Sequence, residues 1–135
     1  MSTTSAELSS MAATIEELIH RLTPIADAYA ASDVVLARAG AMTTAELCAW
    51  GLPMVLVPLP TAAADHQTAN ARALAAAGAA VHIPQSELTA DRLDRVTRDV
   101  VLNTEQRNAL AAAARARGRP DAAEHIAGRI LALLD

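Results

Sequence analysis

Residues 33–60 read DVVLARAGAMTTAELCAWGLPMVLVPLP, and this stretch decides the fold of the chain. Two short apolar runs, DVVL and MVLV, are rich in β-branched residues and lack polar alternation. That pattern is typical of strands buried on both faces of a parallel sheet. The segment between them, TTAELCAW, favours a short helix that ends at Gly51. The stretch therefore predicts a strand, a crossover helix and a second strand parallel to the first.

The same alternation continues downstream and then stops. ADHQTANARALAAAG predicts a second helix closed by Gly78, and AAVHIP predicts a third strand. After Pro84 come three helical patterns, with Thr89 and Thr104 as N-caps and Pro120 in the first turn of the last helix. We therefore expect an α/β fold with a parallel sheet of about three strands, β-α-β-α-β, followed by three C-terminal helices.

Upstream of the first strand, the pattern is helical. In residues 5–22, apolar side chains recur at three- and four-residue steps, which predicts an amphipathic helix. IADAYAAS, residues 25–32, predicts a short second helix after Pro24. Three strands are few for a free-standing sheet. We therefore expect the first helix to cover an exposed face or edge of the sheet, or a partner to complete it.

Composition narrows the classes of function. The chain has 135 residues, which fits one domain, and its net charge of -4 makes nucleic acid an unexpected partner. A single cysteine, Cys48, excludes an intrachain disulfide, and the four histidines lack metal-ligand spacing, so neither a metal nor a cofactor is expected. The apolar runs are too short to span a bilayer, which predicts a cytoplasmic protein.

The turn after the first strand, ARAGAMTTAE, is the first candidate site. Ligands of parallel sheets bind beyond the carboxyl ends of the strands. We expect Gly40 to adopt backbone angles closed to other residues and to let a ligand approach. A helix that starts near Thr43 favours an anion at its N-terminus, and Thr43 and Thr44 add hydroxyl donors. Alternatively, Thr43 and Glu46 form a capping box and the turn is only structural.

The turn after the second strand is the second candidate. TAAADHQTANA, residues 61–71, gathers polar side chains in one turn of an alanine-rich helix, and we expect it beside the first turn: Asp65, His66, Gln67, Thr68 and Asn70. Amides and hydroxyls suit sugar hydroxyls because each can donate and accept. Alternatively, this is a solvated first helical turn with Asp65 near the N-cap.

These residues carry a resemblance to a known family. ASDVVLARAGAMTTAELCAWGLPMVLVPLPTAAADHQTANARALAAAGAAVHIPQSELTADRL and the tail ARARGRPDAAEHIAGRILALL resemble the C-terminal half of the MurG family. These are bacterial UDP-N-acetylglucosamine transferases that complete lipid II in peptidoglycan biosynthesis. The resemblance implies the Rossmann-like donor lobe of a GT-B glycosyltransferase. It divides the chain into an N-terminal amphipathic helix outside the match, residues 1–23, and a truncated donor-nucleotide-binding domain, residues 24–135.

The resemblance also implies a set of substrate-binding residues. In that family the glycine turn holds the diphosphate and the ribose, with Glu46 on the ribose hydroxyls, and the second turn reads the N-acetylglucosamine ring. By match, the donor would be bound by Gly40, Ala41, Met42, Thr43, Thr44, Glu46, Gln67 and Thr68. No catalytic residue is expected in this chain, because the family's N-terminal lobe supplies the acceptor site and the candidates for the catalytic base.

The implied function is binding of UDP or UDP-N-acetylglucosamine for transfer to a lipid-linked acceptor, without turnover by this chain alone. The implied partner is a protein supplying the acceptor lobe, or further copies of the chain, and contact with the inner face of the membrane is indirect. The alternative is a non-catalytic structural or oligomerisation module derived from a MurG-like domain.

Overall fold

The computed structural model describes residues 10, 13–14, 17, 25–61 and 63–133, which belong to two compact units, residues 1–32 and 33–135. In the first unit, helix α1 spans Ile25–Ala30 and confirms the short helix predicted there. The helix predicted at residues 5–22 lies mostly outside the described residues, and the four described positions within it are helical. The predicted domain boundary after residue 23 stays a prediction.

The second unit contains a parallel sheet of three strands. Strands β1 (Val35–Ala37), β2 (Met54–Leu56) and β3 (Ala80–His82) lie in the order β1-β2-β3. Helix α2 (Ala41–Trp50) joins the first two strands, and α3 (His66–Ala76) joins the second to the third. The predicted β-α-β-α-β order is confirmed.

The central strand is buried on both faces, as its uninterrupted apolar run predicts. Side chains along β2 are at most 1% exposed. Three helices follow the sheet: α4 (Ala90–Leu102), α5 (Thr104–Arg117) and α6 (Ala122–Leu131). Residues from β2, from the positions just after β2 and β3, and from α4 and α5 form one buried apolar cluster: Val55, Val57, Ile83, Val100 and Leu110.

Two glycines end the crossover helices as predicted. Gly51 has φ +67° and follows α2, and Gly78 has φ +70° and follows α3. At Gly51, the backbone N–H donates to the Cys48 carbonyl at 3.0 Å, and the next N–H, of Leu52, donates to Leu47 at 3.0 Å. Side chains larger than hydrogen are strained at this φ, which is why glycine stops the helix here.

The starts of the C-terminal helices differ in part from the predictions. Thr89 caps α4 as predicted, with its hydroxyl accepting from the Arg92 N–H at 3.2 Å. The prediction of Thr104 as a cap is wrong, because the Asn103 side chain accepts from the Gln106 N–H at 3.0 Å and Thr104 is already helical. The placement of Pro120 is also wrong, since α6 begins only at Ala122.

Helices α2 and α5 meet closely at their C-terminal ends. A Cβ added at Gly118, which follows α5, would lie 2.7 Å from the Cys48 carbonyl oxygen of α2. At Gly51, an added Cβ would overlap the side chain of Arg115. Glycine therefore permits this contact from both sides, and α2 is held against α5 at the end opposite to the candidate turn.

Candidate functional site

The three strands bring three turns to one edge of the sheet. Because β1, β2 and β3 are parallel, the chain leaves all of them at the same edge, where ligands of such sheets bind. The first two turns are in direct contact, since the Asn70 side-chain amide of α3 donates to the Ala39 carbonyl of the first turn at 3.0 Å. The predicted juxtaposition of the two polar turns is confirmed.

The start of α2 offers three backbone donors. Thr44 donates the first hydrogen bond of the helix, to the Gly40 carbonyl at 2.9 Å. The preceding N–H groups, of Ala41, Met42 and Thr43, therefore have no place in the helical ladder. Gly40 occupies the N-cap position and supplies no side chain to bond them. This arrangement suits an anion, which the N–H groups and the helix dipole both stabilise.

Gly40 itself does not have the predicted backbone conformation. Its φ of -65° and ψ of 146° are open to any residue, so the expectation of forbidden angles is wrong. The space beside it is also open, because the nearest atom to an added Cβ is the Thr43 hydroxyl at 3.9 Å. Neither backbone strain nor these packing contacts require glycine here. A ligand that approaches the backbone would require it.

The capping box predicted from Thr43 and Glu46 is wrong, because α2 begins two residues earlier than the pattern indicates. Thr43 is the third residue of the helix, and Glu46 lies half-buried one turn further on. Thr44 also differs from expectation. It is 7% exposed, and its hydroxyl donates to the carbonyls of Gly40 at 3.0 Å and Ala41 at 3.1 Å, so that proton is used within the helix.

The second turn is ordered by its own side chains. The Gln67 side-chain oxygen accepts from the Leu59 N–H at 3.0 Å, which leaves the amide NH₂ as a donor. The Thr68 hydroxyl donates to Asp65 at 2.6 Å and keeps its lone pairs as acceptors. Ala64 and Asp65 have φ of 52° and 54°, which costs each about 1–2 kcal/mol. Strain of this kind concentrates at functional sites.

Arg38 is a residue of the candidate site that the sequence reasoning missed. Its guanidinium Nη1 donates to the Val57 carbonyl at 3.1 Å and to the Gln85 side-chain oxygen at 2.5 Å. A longer contact of 3.4 Å reaches the Pro58 carbonyl. Arg38 follows β1, Val57 follows β2, and Gln85 follows β3, so one side chain ties the three strand ends together. Its position directly after a strand was the only signal in the sequence.

Other candidate groups have limited roles. Cys48 is 4% exposed, as predicted for a small buried apolar residue. Burial raises the pKa of its thiol, and the charge of Arg117 opposes that shift.

Among residues 25–61 and 63–133 and the four described positions upstream, no three metal-ligating side chains are grouped to hold an ion. In the same residues, no helix is both long and apolar enough to cross a membrane.

Known proteins are similar to this chain in sequence and in fold. Residues 6–126 match the glycosyltransferase family 28 C-terminal domain. The chain belongs to this family. The matched range begins upstream of Pro24, within the segment where the amphipathic helix is predicted.

Curated relatives in the family carry the name UDP-N-acetylglucosamine–N-acetylmuramyl-(pentapeptide) pyrophosphoryl-undecaprenol N-acetylglucosamine transferase. The protein of Salinibacter ruber is 53% identical over 108 residues, which are 80% of this chain and 29% of that protein. The protein of Alkalilimnicola ehrlichii is 50% identical over 103 residues, 76% of this chain and 29% of that protein. The chain thus spans less than a third of the length of these relatives.

A solved structure of the family shares the fold. The crystal structure of Acinetobacter baumannii MurG superposes with a TM-score of 0.72 at 38% identity, covering 81% of this chain and 32% of that one. The three-stranded parallel sheet and its C-terminal helices therefore match the Rossmann-like C-terminal lobe of a GT-B glycosyltransferase. The resemblance seen in the sequence is confirmed.

Proposed function

We propose that this chain binds UDP-N-acetylglucosamine as the donor-binding part of an N-acetylglucosaminyltransferase acting on a lipid-linked acceptor. The observation that carries the proposal is the start of α2. Three backbone N–H groups lie outside the helical ladder there, at the carboxyl edge of the sheet, and the space beside the preceding Gly40 is open. Membership of the family and the names of the relatives support the choice of ligand.

The diphosphate binds to the N–H groups of Ala41, Met42 and Thr43. A diphosphate carries its charge on several oxygens, and charge-assisted hydrogen bonds to backbone N–H groups are about twice as strong as neutral ones. The helix dipole adds to this stabilisation. Thr44 contributes indirectly, because its bonds to Gly40 and Ala41 fix the first turn of the helix.

The sugar groups bind on either side of the diphosphate. Glu46 accepts from the ribose hydroxyls, which a carboxylate does well. The Gln67 amide donates to a hydroxyl of the N-acetylglucosamine ring, while its oxygen stays bonded to Leu59. The Thr68 hydroxyl oxygen accepts from a second sugar hydroxyl, while the hydroxyl continues to donate to Asp65. The two internal bonds orient both side chains before the ligand arrives.

In the complete reaction, the 4-hydroxyl of the acceptor attacks the anomeric carbon of the donor with inversion, and UDP leaves. The start of α2 stabilises the negative charge that develops on the departing diphosphate. The base that removes the acceptor proton comes from outside this chain. We therefore expect binding of UDP and no turnover when the chain is alone.

Calorimetric titration with UDP tests the proposal. We expect binding by the wild-type chain and weaker binding by Glu46→Ala, because the ribose contact is lost. Glu124→Ala is the matched control, since it removes an exposed glutamate from α6 and leaves the turn intact. An absence of heat at millimolar UDP, or equal affinities for the wild type and Glu46→Ala, would contradict the proposal.

A second candidate is an oligomerisation module, and α6 is the observation that favours it. Its apolar side chains are exposed on one stripe, with Ile126 at 59% and Ile130 at 55%. In this reading the stripe pairs with a second copy of the chain. Light scattering at two concentrations distinguishes the candidates, because a strict monomer that binds UDP contradicts the oligomerisation module.

A further inference from the structure

A cleft of about 590 Å³ opens between α3 and the segment that follows β3. Its described lining residues include none from the turn between β1 and α2, so the cleft lies apart from the proposed diphosphate position. It adjoins the proposed sugar position, because Thr68 lines it. Three prolines contribute rigid walls that carry no N–H: Pro58, Pro60 and Pro84. The remaining wall is polar, and its side chains come from α3, from the end of β3 and from the turn after it.

Helix α3 presents one face to this cleft. Thr68 and Arg72 lie four residues apart on one face of the helix, and Asp65, which precedes the helix, lines the cleft with them. The carboxylate of Asp65 already accepts from the Thr68 hydroxyl at 2.6 Å. Arg72 is exposed, and no carboxylate among the described residues forms an ion pair with its guanidinium. The helix therefore brings a cation to the cleft, which also holds the Asp65 carboxylate.

His82, the last residue of β3, lines the same cleft and carries an unsatisfied polar atom. Its Nε2 is buried and has no hydrogen-bond partner among the described residues. Buried polar atoms are nearly always paired, so an orphan beside an open cleft calls for an explanation. Burial lowers the pKa of His82, and Arg72 and Arg92 lower it further, while Glu87 raises it. Glu87 is itself paired with Arg92.

We propose that this cleft binds an anionic group, a carboxylate or a phosphate, between the guanidinium of Arg72 and the imidazole of His82. The anion supplies the partner that Arg72 lacks, and its negative charge opposes the effect of burial and of the two arginines, which lower the pKa of His82. The imidazole then takes up a proton and Nε2 becomes a donor. The Gln85 side-chain oxygen accepts from Arg38, so its amide NH₂ remains as a donor for the anion, and Gln85 lines the cleft. This site does not depend on the proposed donor function.

Histidine imidazole NMR on the full chain tests this proposal, with inorganic phosphate and acetate as separate probes. We expect saturable shifts of the His82 signals and a rise in its pKa when the anion is bound. Arg72→Gln should weaken binding by about tenfold, the worth of one charge-assisted hydrogen bond. His125 is the internal control, because it lies exposed on α6 beside Asp121. Arg129→Gln, on the same exposed helix, should bind as the wild type does.

Repeating the phosphate titration in the presence of saturating UDP tests whether the cleft is separate from the UDP position. An unchanged response at His82 supports a separate site, and competition by UDP would overturn it. The proposal also fails if neither anion moves the His82 signals, or if Arg72→Gln binds with wild-type affinity. Circular dichroism checks the fold of that variant. His82→Gln is a second variant in which the loss must reappear, and it is followed by backbone amide shifts because its imidazole is gone. The titrations with phosphate and acetate alone do not require UDP binding, so the two proposals fail separately.

Discussion

Replacing Gly40 by serine should stabilise the chain and weaken its binding of UDP. The backbone of Gly40 has φ -65° and ψ 146°, which serine adopts without strain, and an added Cβ meets nothing closer than 3.9 Å. Serine is also a preferred N-cap residue, because its hydroxyl oxygen accepts from the N–H two or three residues on, here Met42 or Thr43. The substitution fills the same donors that we assign to the diphosphate.

Two contributions set the gain in stability. Removing a glycine from the unfolded chain is worth about 0.4–1 kcal/mol, and serine exceeds glycine as a cap by a few tenths of a kcal/mol. Together they should raise the melting temperature by about 2–5 °C for a chain of this size. The loss of one charge-assisted hydrogen bond to the diphosphate should weaken UDP binding by about tenfold or more.

Thermal unfolding followed by circular dichroism and calorimetric titration with UDP measure the two effects on the same samples. Gly128→Ala is the matched control. It lies inside exposed helix α6 with open space around an added Cβ, so it should gain about 0.5–1 kcal/mol of stability and keep its UDP affinity. A Gly40→Ser chain that is more stable and binds UDP as tightly as the wild type would refute the assignment of the diphosphate to the start of α2. A less stable chain would refute the backbone geometry described for Gly40.

Three further outcomes follow from single contacts. Asn103→Ala should cost about 1 kcal/mol in chemical denaturation because α5 loses its cap, whereas Thr104→Ala should stay within about 0.5 kcal/mol. His82 has a pKa lowered from 6.5 in the folded chain, so the unfolded chain binds the proton first as the pH falls. Stability should therefore decline below about pH 6.5, and urea unfolding of His82→Leu should show a smaller decline. Arg38→Met should weaken UDP binding in calorimetry by loosening the three strand ends, and equal affinity would show that this tie does not position the site.

The order of the elements was predictable because its signals are local. The apolar run of β2 indicates a strand buried on both faces, and Gly51 and Gly78 end helices through a backbone conformation that glycine adopts most easily. The helix starts were less predictable, because several residues compete to cap each one. Thr43 and Glu46 have capping-box spacing, yet α2 begins before them, and Asn103 displaces Thr104 as the cap of α5.

The site was predictable as a place and not as a set of contacts. The parallel strands bring the two polar turns together, and the Asn70 to Ala39 hydrogen bond shows that they touch. The direction of the Thr44 hydroxyl depends on where α2 begins, which the pattern misplaced by two residues. The bonds of Arg38 join residues 19 and 47 positions away in the chain, and only the folded sheet brings these partners within reach.

The glycine contact between α2 and α5 limits where the chain can change length. Gly118 has an ordinary φ of -65°, so only its proximity to the Cys48 carbonyl oxygen restricts it to glycine. Inserting or deleting one residue within α5 would bring a neighbouring side chain, such as that of Arg117, to this position. The span from Asn103 to Gly118 therefore has a fixed length, whereas the turn between Gly118 and α6 can accept insertions. Linkers, tags or labels belong in that turn and not inside α5.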